Sequence, residues 1–174
     1  MRGMVYAALA LCLAASACTD RTAARGGVLN PVGTVPSRFA AAPPTAPEDV
    51  LTRYRRFHEV AEKALATGDA SQIPTVATGA VAAHLQKEIA RDRRKGVVLR
   101  GHAVPHPHLA AVRAGSAQLV DCLAAAGPYT FRRGTGKRVG GAPRPHRSLV
   151  YATMSHADGT WKVAELATPK DSRC

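Results

Sequence analysis

The chain has 174 residues, 46% of them hydrophobic, with 24 basic against 12 acidic residues and a formal net charge of +12. That length and apolar content suit one domain with a buried core and exclude disorder throughout. Aromatics make up 5% and do not interleave with the basic runs, which argues against a surface that stacks single-stranded nucleic acid, so no nucleic-acid partner is expected.

Residues 1–17 read as an export signal. Arg2 supplies the positive start, Met4 to Leu13 an apolar run too short to span a bilayer, and Ala15-Ser16-Ala17 a small-residue exit. Ala-Ser-Ala-Cys resembles the lipobox of bacterial lipoproteins, with Ala15 where that family prefers Leu. The resemblance implies a lipid on Cys18 and a protein held on the outer face of the cytoplasmic membrane, since two or more acyl chains anchor stably. An ordinary signal peptidase would instead release a soluble, secreted chain. Residues 18–46, rich in Pro, Gly, Ala and Thr, read as a flexible tether with a reach of about 30 Å. A single folded domain is expected over residues 47–174.

Pro47-Glu48-Asp49 opens a predicted helix, with Pro and two carboxylates suited to a first turn. Val50, Tyr54, Phe57, Ala61 and Leu65 form its apolar stripe, and Gly68-Asp69 ends it. A second helix is predicted from Pro74 to about Arg94, with Ala77, Val81, Leu85 and Ile89 four apart and Gly96 as the stop. The basic run Arg91 to Lys95 lies at its C-terminal end, where cations suit the helix dipole.

From Val97 the pattern turns to strands: Val97 to Ala103, His108 to Arg113, Ser116 to Leu123 and Tyr129 to Arg132, with Gly127-Pro128 as a break. Gly134 to Pro145 reads as a basic loop. The clearest local signal is Leu149 to Leu166, two strand runs meeting at Asp158-Gly159, the dipeptide of a type I′ turn. A two-residue loop there pairs Ala157 with Thr160, His156 with Trp161, Met154 with Val163, Ala152 with Glu165 and Val150 with Ala167. All but the loop-flanking pair then share one face, which predicts Glu165 as the one charged residue on the core side. The whole is an α+β pattern: two N-terminal helices packed on a curved, mostly antiparallel sheet of about four to six strands.

Gly68-Asp69 after an aromatic first helix, Ala117-x-x-Val120-Asp121-Cys122, Asp158-Gly159-x-Trp161-Lys162-Val163 and the terminal Cys174 together resemble the nuclear transport factor 2-like superfamily. The narrower likeness is to its small secreted lipoproteins of actinobacterial type. The resemblance implies a cone-shaped domain. Superfamily members include isomerases, dehydratases and cyclases that work in the cone, and also non-catalytic binding and assembly modules, so fold does not decide function.

With Cys12 in the signal and Cys18 lipidated, Cys122 and Cys174 remain, and in an oxidising compartment they are most simply a disulfide; the alternative is two free thiols. His102, His106 and His108 are the densest cluster of possible metal ligands, yet Pro105 and Pro107 break it up and no acidic residue is near, so exposed histidines are the plainer reading and no metal or other cofactor is expected. Asp121, Glu165 and His156 are the candidate pocket groups for catalysis, although no assembled catalytic set is recognisable. The expectation is therefore an exported lipoprotein with a non-catalytic domain that binds a cell-envelope protein or a small apolar ligand. The alternatives are a cavity enzyme of isomerase or dehydratase type and a basic module that docks on anionic cell-envelope polymer. The charge is weak evidence for the last, since most of the basic residues are Arg in a chain rich in Ala, Gly and Pro, a composition that GC-rich coding also produces.

Overall fold

A computed structural model describes residues 47–170 and 173–174; the export signal, Cys18 and the tether of residues 18–46 lie outside the described residues. The first helix, α1 (Pro47–Thr67), carries Glu48 and Asp49 in its first turn and buries Val50, Tyr54, Phe57, Val60, Ala61 and Ala64. Gly68, at φ 73°, closes it by donating its N–H to the Ala64 carbonyl at 2.8 Å.

The predicted second helix is broken in two, α2 (Ile73–Val76) and α3 (Gly79–Arg94). The cause lies in the sheet. Ala77 adopts an extended conformation and bridges Val163 in parallel, while the Thr78 N–H donates to the Val163 carbonyl at 2.9 Å. A sheet contact thus replaces one helical turn, and Gly79, at φ 56°, lets the chain turn into α3.

Six strands form one curled antiparallel sheet: β1 (Val97–Val104), β2 (Pro107–Arg113), β3 (Ser116–Arg132), β4 (Arg138–Val139), β5 (His146–Ala157) and β6 (Thr160–Ala167). The fold is thus α+β as expected, with three helices among the described residues because the second predicted helix is interrupted. Strand β3 joins two segments that the sequence reading separated at Gly127-Pro128. Its N-terminal half pairs with β2 and β5, and its C-terminal half with β1 and β4. The bend comes where β1 and β3 approach closely. A Cβ on Gly127 would stand 2.9 Å from the Gly101 Cα, and one on Gly101 2.9 Å from the Ala126 carbonyl oxygen. The register shifts there, between Arg100 and His102, which is how a long strand curls without ending.

The β5–β6 turn is of the expected kind, with Asp158 at φ 53° and Gly159 at φ 74°. The register follows the prediction from Ala157↔Thr160 as far as Met154↔Val163 and then slips: Thr153 pairs with Glu165, Ala152 with Leu166 and Tyr151 with Ala167. One extra residue on β6 moves every later side chain to the opposite face. Glu165 is therefore exposed and accepts a hydrogen bond from the Thr153 hydroxyl at 3.3 Å, while Leu166 takes its place opposite Ala152. The predicted core carboxylate is corrected by this bulge.

Helix α1 lies across the inner face of the sheet. Val50, Tyr54 and Phe57 pack with Ala117, Leu119, Ala152, Met154, Trp161 and Val163, and Ile73, Val76 and Ile89 extend the same core. A disulfide joins Cys122 to Cys174, with a Cα–Cα distance of 5.8 Å.

Candidate functional site

Asp121 points from β3 into the core and is fully buried. Its neighbours on that face, Ala117 and Leu119, are buried as well, so strand alternation alone puts the carboxyl inside. Two donors satisfy it. The Tyr54 hydroxyl donates to Oδ2 at 3.0 Å, and the His106 backbone N–H donates to Oδ1 at 2.6 Å. Burial first, then the Asp121 charge and this hydrogen bond, push the Tyr54 phenol far above its ordinary pKa, so it remains a donor. The arrangement ties α1, the β1–β2 turn and β3 to one point.

His58, one turn along α1, packs edge-on against Tyr54 at 4.8 Å and against Phe57 at 5.2 Å between ring centroids. Its Nε2 is buried without a hydrogen-bond partner. Burial lowers its pKa below the ordinary 6.5, and the charges of Asp121 and Glu62 only partly oppose this. Farther along, the Glu62 carboxylate accepts the Ala103 backbone N–H and lies 3.3 Å from Nδ1 of His102. His58, Glu59, Glu62 and His102 line a cleft of about 280 Å³, and Asp121 is not part of its lining.

The sign of a pH effect follows. A histidine held neutral in the fold contributes stability that is fully present above its unfolded pKa and is lost as pH falls through the folded value. The unfolding midpoint of the parent chain is expected to drop between about pH 7.5 and about pH 5, and His58→Gln should make that drop smaller. Equal pH slopes for the two chains, in urea titrations, would remove His58 from this account.

The other sequence candidates are dispersed. His156 is exposed near the hairpin tip, its ring 5.0 Å from that of Trp161. His102 faces Glu62, the His106 ring lies 3.1 Å from the Cys122 carbonyl oxygen through Nδ1, and His108 pairs with Val120 in the sheet. All three are exposed, and among the described residues no group of three or more His, Cys, Asp or Glu is placed to hold a metal ion. Asp121, Glu165 and His156 do not meet. Of the two side chains near Asp121, Tyr54 belongs to the apolar stripe that the sequence predicts as core, and His58 is not singled out by the sequence reading. A polar atom at a stripe position is the one trace the sequence offers, since a buried hydroxyl needs a partner.

The concave side is largely filled. Besides the cleft at His58, an opening of about 150 Å³ between α1 and the far half of the sheet is lined by Leu65, Leu99, Ala103 and Ala126 among others, and both are small beside a drug-sized ligand site of roughly 300–1,000 Å³. A larger groove of about 450 Å³ lies where Phe57 of α1, Ala80, Val81 and Leu85 of α3, and Ala164 and Leu166 of β6 face one another, with His84 and Glu165 also lining it. The bulge that turns Glu165 outward is what brings Leu166 to this groove.

No family model and no curated protein matches the sequence. Solved structures do resemble the fold. The intermembrane space region of the chloroplast protein ARC6 is 11% identical, covers 67% of this chain and 91% of its own, and superposes with a TM-score of 0.55. A protein provisionally described as a scytalone dehydratase from Novosphingobium aromaticivorans (12% identity, 68% and 83% coverage, TM-score 0.46) and a nuclear transport factor 2-like protein of unknown function from Prochlorococcus marinus (15% identity, 75% and 94% coverage, TM-score 0.43) are weaker likenesses. Nuclear transport factor 2-like proteins are thus among the structural neighbours of this chain, and the likeness is one of fold alone.

Proposed function

We propose that the chain is an exported lipoprotein, held at the membrane through Cys18, whose folded domain binds a small apolar ligand or an apolar segment of a cell-envelope protein without catalysing a reaction. The observation that carries the reading is the contrast between two concavities: the inner face is packed shut around a satisfied Asp121, while the groove of Phe57, Val81, Leu85 and Leu166 is open, apolar and of ligand size. Phe57 and Leu85 are rigidly held by the core behind them, so the groove needs little reorganisation on binding. His84 and Glu165 supply the few polar groups that orient a ligand.

A cavity enzyme of isomerase or dehydratase type is the second reading. It is favoured by the unpartnered Nε2 of His58 beside the Asp121 charge, and weakened because that atom is itself shielded from solvent.

The test uses an apolar, environment-sensitive dye such as Nile red. Leu166, 39% exposed, can be changed without opening the core. Leu166→Glu is expected to weaken dye binding about tenfold, roughly 1.4 kcal/mol, with an unchanged unfolding midpoint. Val112→Glu, at a site of similar exposure (43%) away from the groove, should leave binding intact. Equal loss in both variants, or none in either, would disprove the groove as the binding site.

A further inference from the structure

No Asp or Glu occurs between Asp121 and Asp158, yet six cations do: Arg132, Arg133, Lys137, Arg138, Arg144 and Arg147. Four helical arginines lie beside a carboxylate, Arg53 beside Asp49, Arg55 beside Glu48, Arg56 beside Glu59 and Arg91 beside Glu88. None of the ion pairs among the described residues involves the six. This stretch of the chain therefore carries six positive charges and no negative one.

This stretch lines a depression. Arg144, Pro145, His146 and Arg147, where the chain enters β5, enclose about 460 Å³ together with Arg173 and Cys174. Arg173 belongs to this wall because the Cys122–Cys174 disulfide fastens its segment to β3. The Nδ1 of His146 lies 3.3 Å from the Arg144 carbonyl oxygen, which orients the ring within the wall. Farther along, Arg138 of β4 pairs with Phe131 and His146 of β5 with Ala125, both on the side of β3 opposite β1. The cations thus extend over about 20 Å of strand.

We propose that this basic row binds an anionic polymer linked by phosphodiesters, with one phosphate seated among Arg144, Arg147 and Arg173 and its successors along Arg138 and its neighbours. Guanidinium forks match phosphate oxygens in pairs and bind them more strongly than neutral donors do. A series of fixed charges along one strand suits a repeating polyanion better than a single small anion. The depression is concave and its wall carries no large apolar side chain to enter a bilayer, which argues against a membrane face. No Phe, Tyr or Trp lines it to stack a base, which argues against nucleic acid. This inference is independent of the apolar groove.

The test titrates the full chain with a glycerol phosphate oligomer at about 0.05 and 0.2 M salt. Replacing Arg144, Arg147 and Arg173 together by Gln is expected to weaken binding at least about tenfold and to flatten the dependence of log K on log salt by roughly 0.7–0.9, the share of the one phosphate they hold. Replacing Arg53, Arg55 and Arg56 by Gln removes the same charge from α1 and should change affinity less than about twofold. Exposed substitutions of this kind leave the unfolding midpoint nearly unchanged, which verifies folding. Equal weakening in both triple variants would overturn the proposal in favour of generic charge. So would absence of oligomer binding by the parent chain, or tighter binding to single-stranded DNA or to vesicles of phosphatidylglycerol and phosphatidylcholine than to the oligomer.

Discussion

Asp121→Ala is expected to lower the free energy of unfolding by about 2–5 kcal/mol, because it strands two buried donors at once. The Tyr54 hydroxyl and the His106 backbone N–H both donate to this carboxyl, and each left unsatisfied in the core costs roughly 1–3 kcal/mol. Against a typical total of about 5–15 kcal/mol, that is a large fraction. Asp121→Asn keeps an acceptor for one donor and brings amide protons with no place to go, so its cost should fall between parent and alanine. Tyr54→Phe isolates the other half of the contact, and a double-mutant cycle with Asp121→Ala should show a coupling of about 0.5–3 kcal/mol. The buried Trp161, the one tryptophan of the chain, reports unfolding in urea. If Asp121→Ala costs less than about 1 kcal/mol and the pair is additive, the carboxyl is not a structural tie, and the catalytic reading regains its best residue.

What the sequence shows of this fold and what it conceals divide along one physical line. Features set by near neighbours are legible: the α1 stripe from Val50 through Phe57, the stop at Gly68, and the Asp158-Gly159 turn, whose two positive-φ residues follow from local sterics alone. Features decided by a distant partner are hidden. The break at Ala77 exists because Val163 accepts a bridge there, and nothing in the apolar spacing of residues 74–94 records it. The β6 bulge, too, leaves no mark in the alternation of residues 160–167. One residue of slip was enough to move Glu165 from the expected core to solvent and to set the partly exposed Leu166 opposite Ala152.

The candidate site follows the same rule. Alternation along β3 puts Asp121 on the buried face with Ala117 and Leu119, but its principal partner lies 67 residues away on α1. The basic depression is likewise assembled from two separated segments. Arg144 to Arg147 are visible in the sequence as part of a basic loop, whereas Arg173 joins them through a covalent link made 52 residues from Cys122.

That link should be the second large determinant of stability. A chain with both Cys122 and Cys174 replaced by Ser is expected to be about 4 kcal/mol less stable, the chain-entropy value for a closed loop of this length, within the roughly 2–5 kcal/mol seen when small exported domains lose a native bridge. Reduction of the parent chain should produce the same loss, and reductant should have no effect on the double variant. Identical midpoints for the parent with and without reductant would show that the bridge contributes nothing to the folded domain. The consequence reaches past stability, because the bridge also carries Arg173 to the β5 entry. Where the fold survives reduction, affinity for the glycerol phosphate oligomer should fall to that of an Arg173→Gln chain, and reductant should leave the Arg173→Gln chain unchanged. Stability lost without any change in affinity would separate the two roles and leave Arg173 outside the basic site.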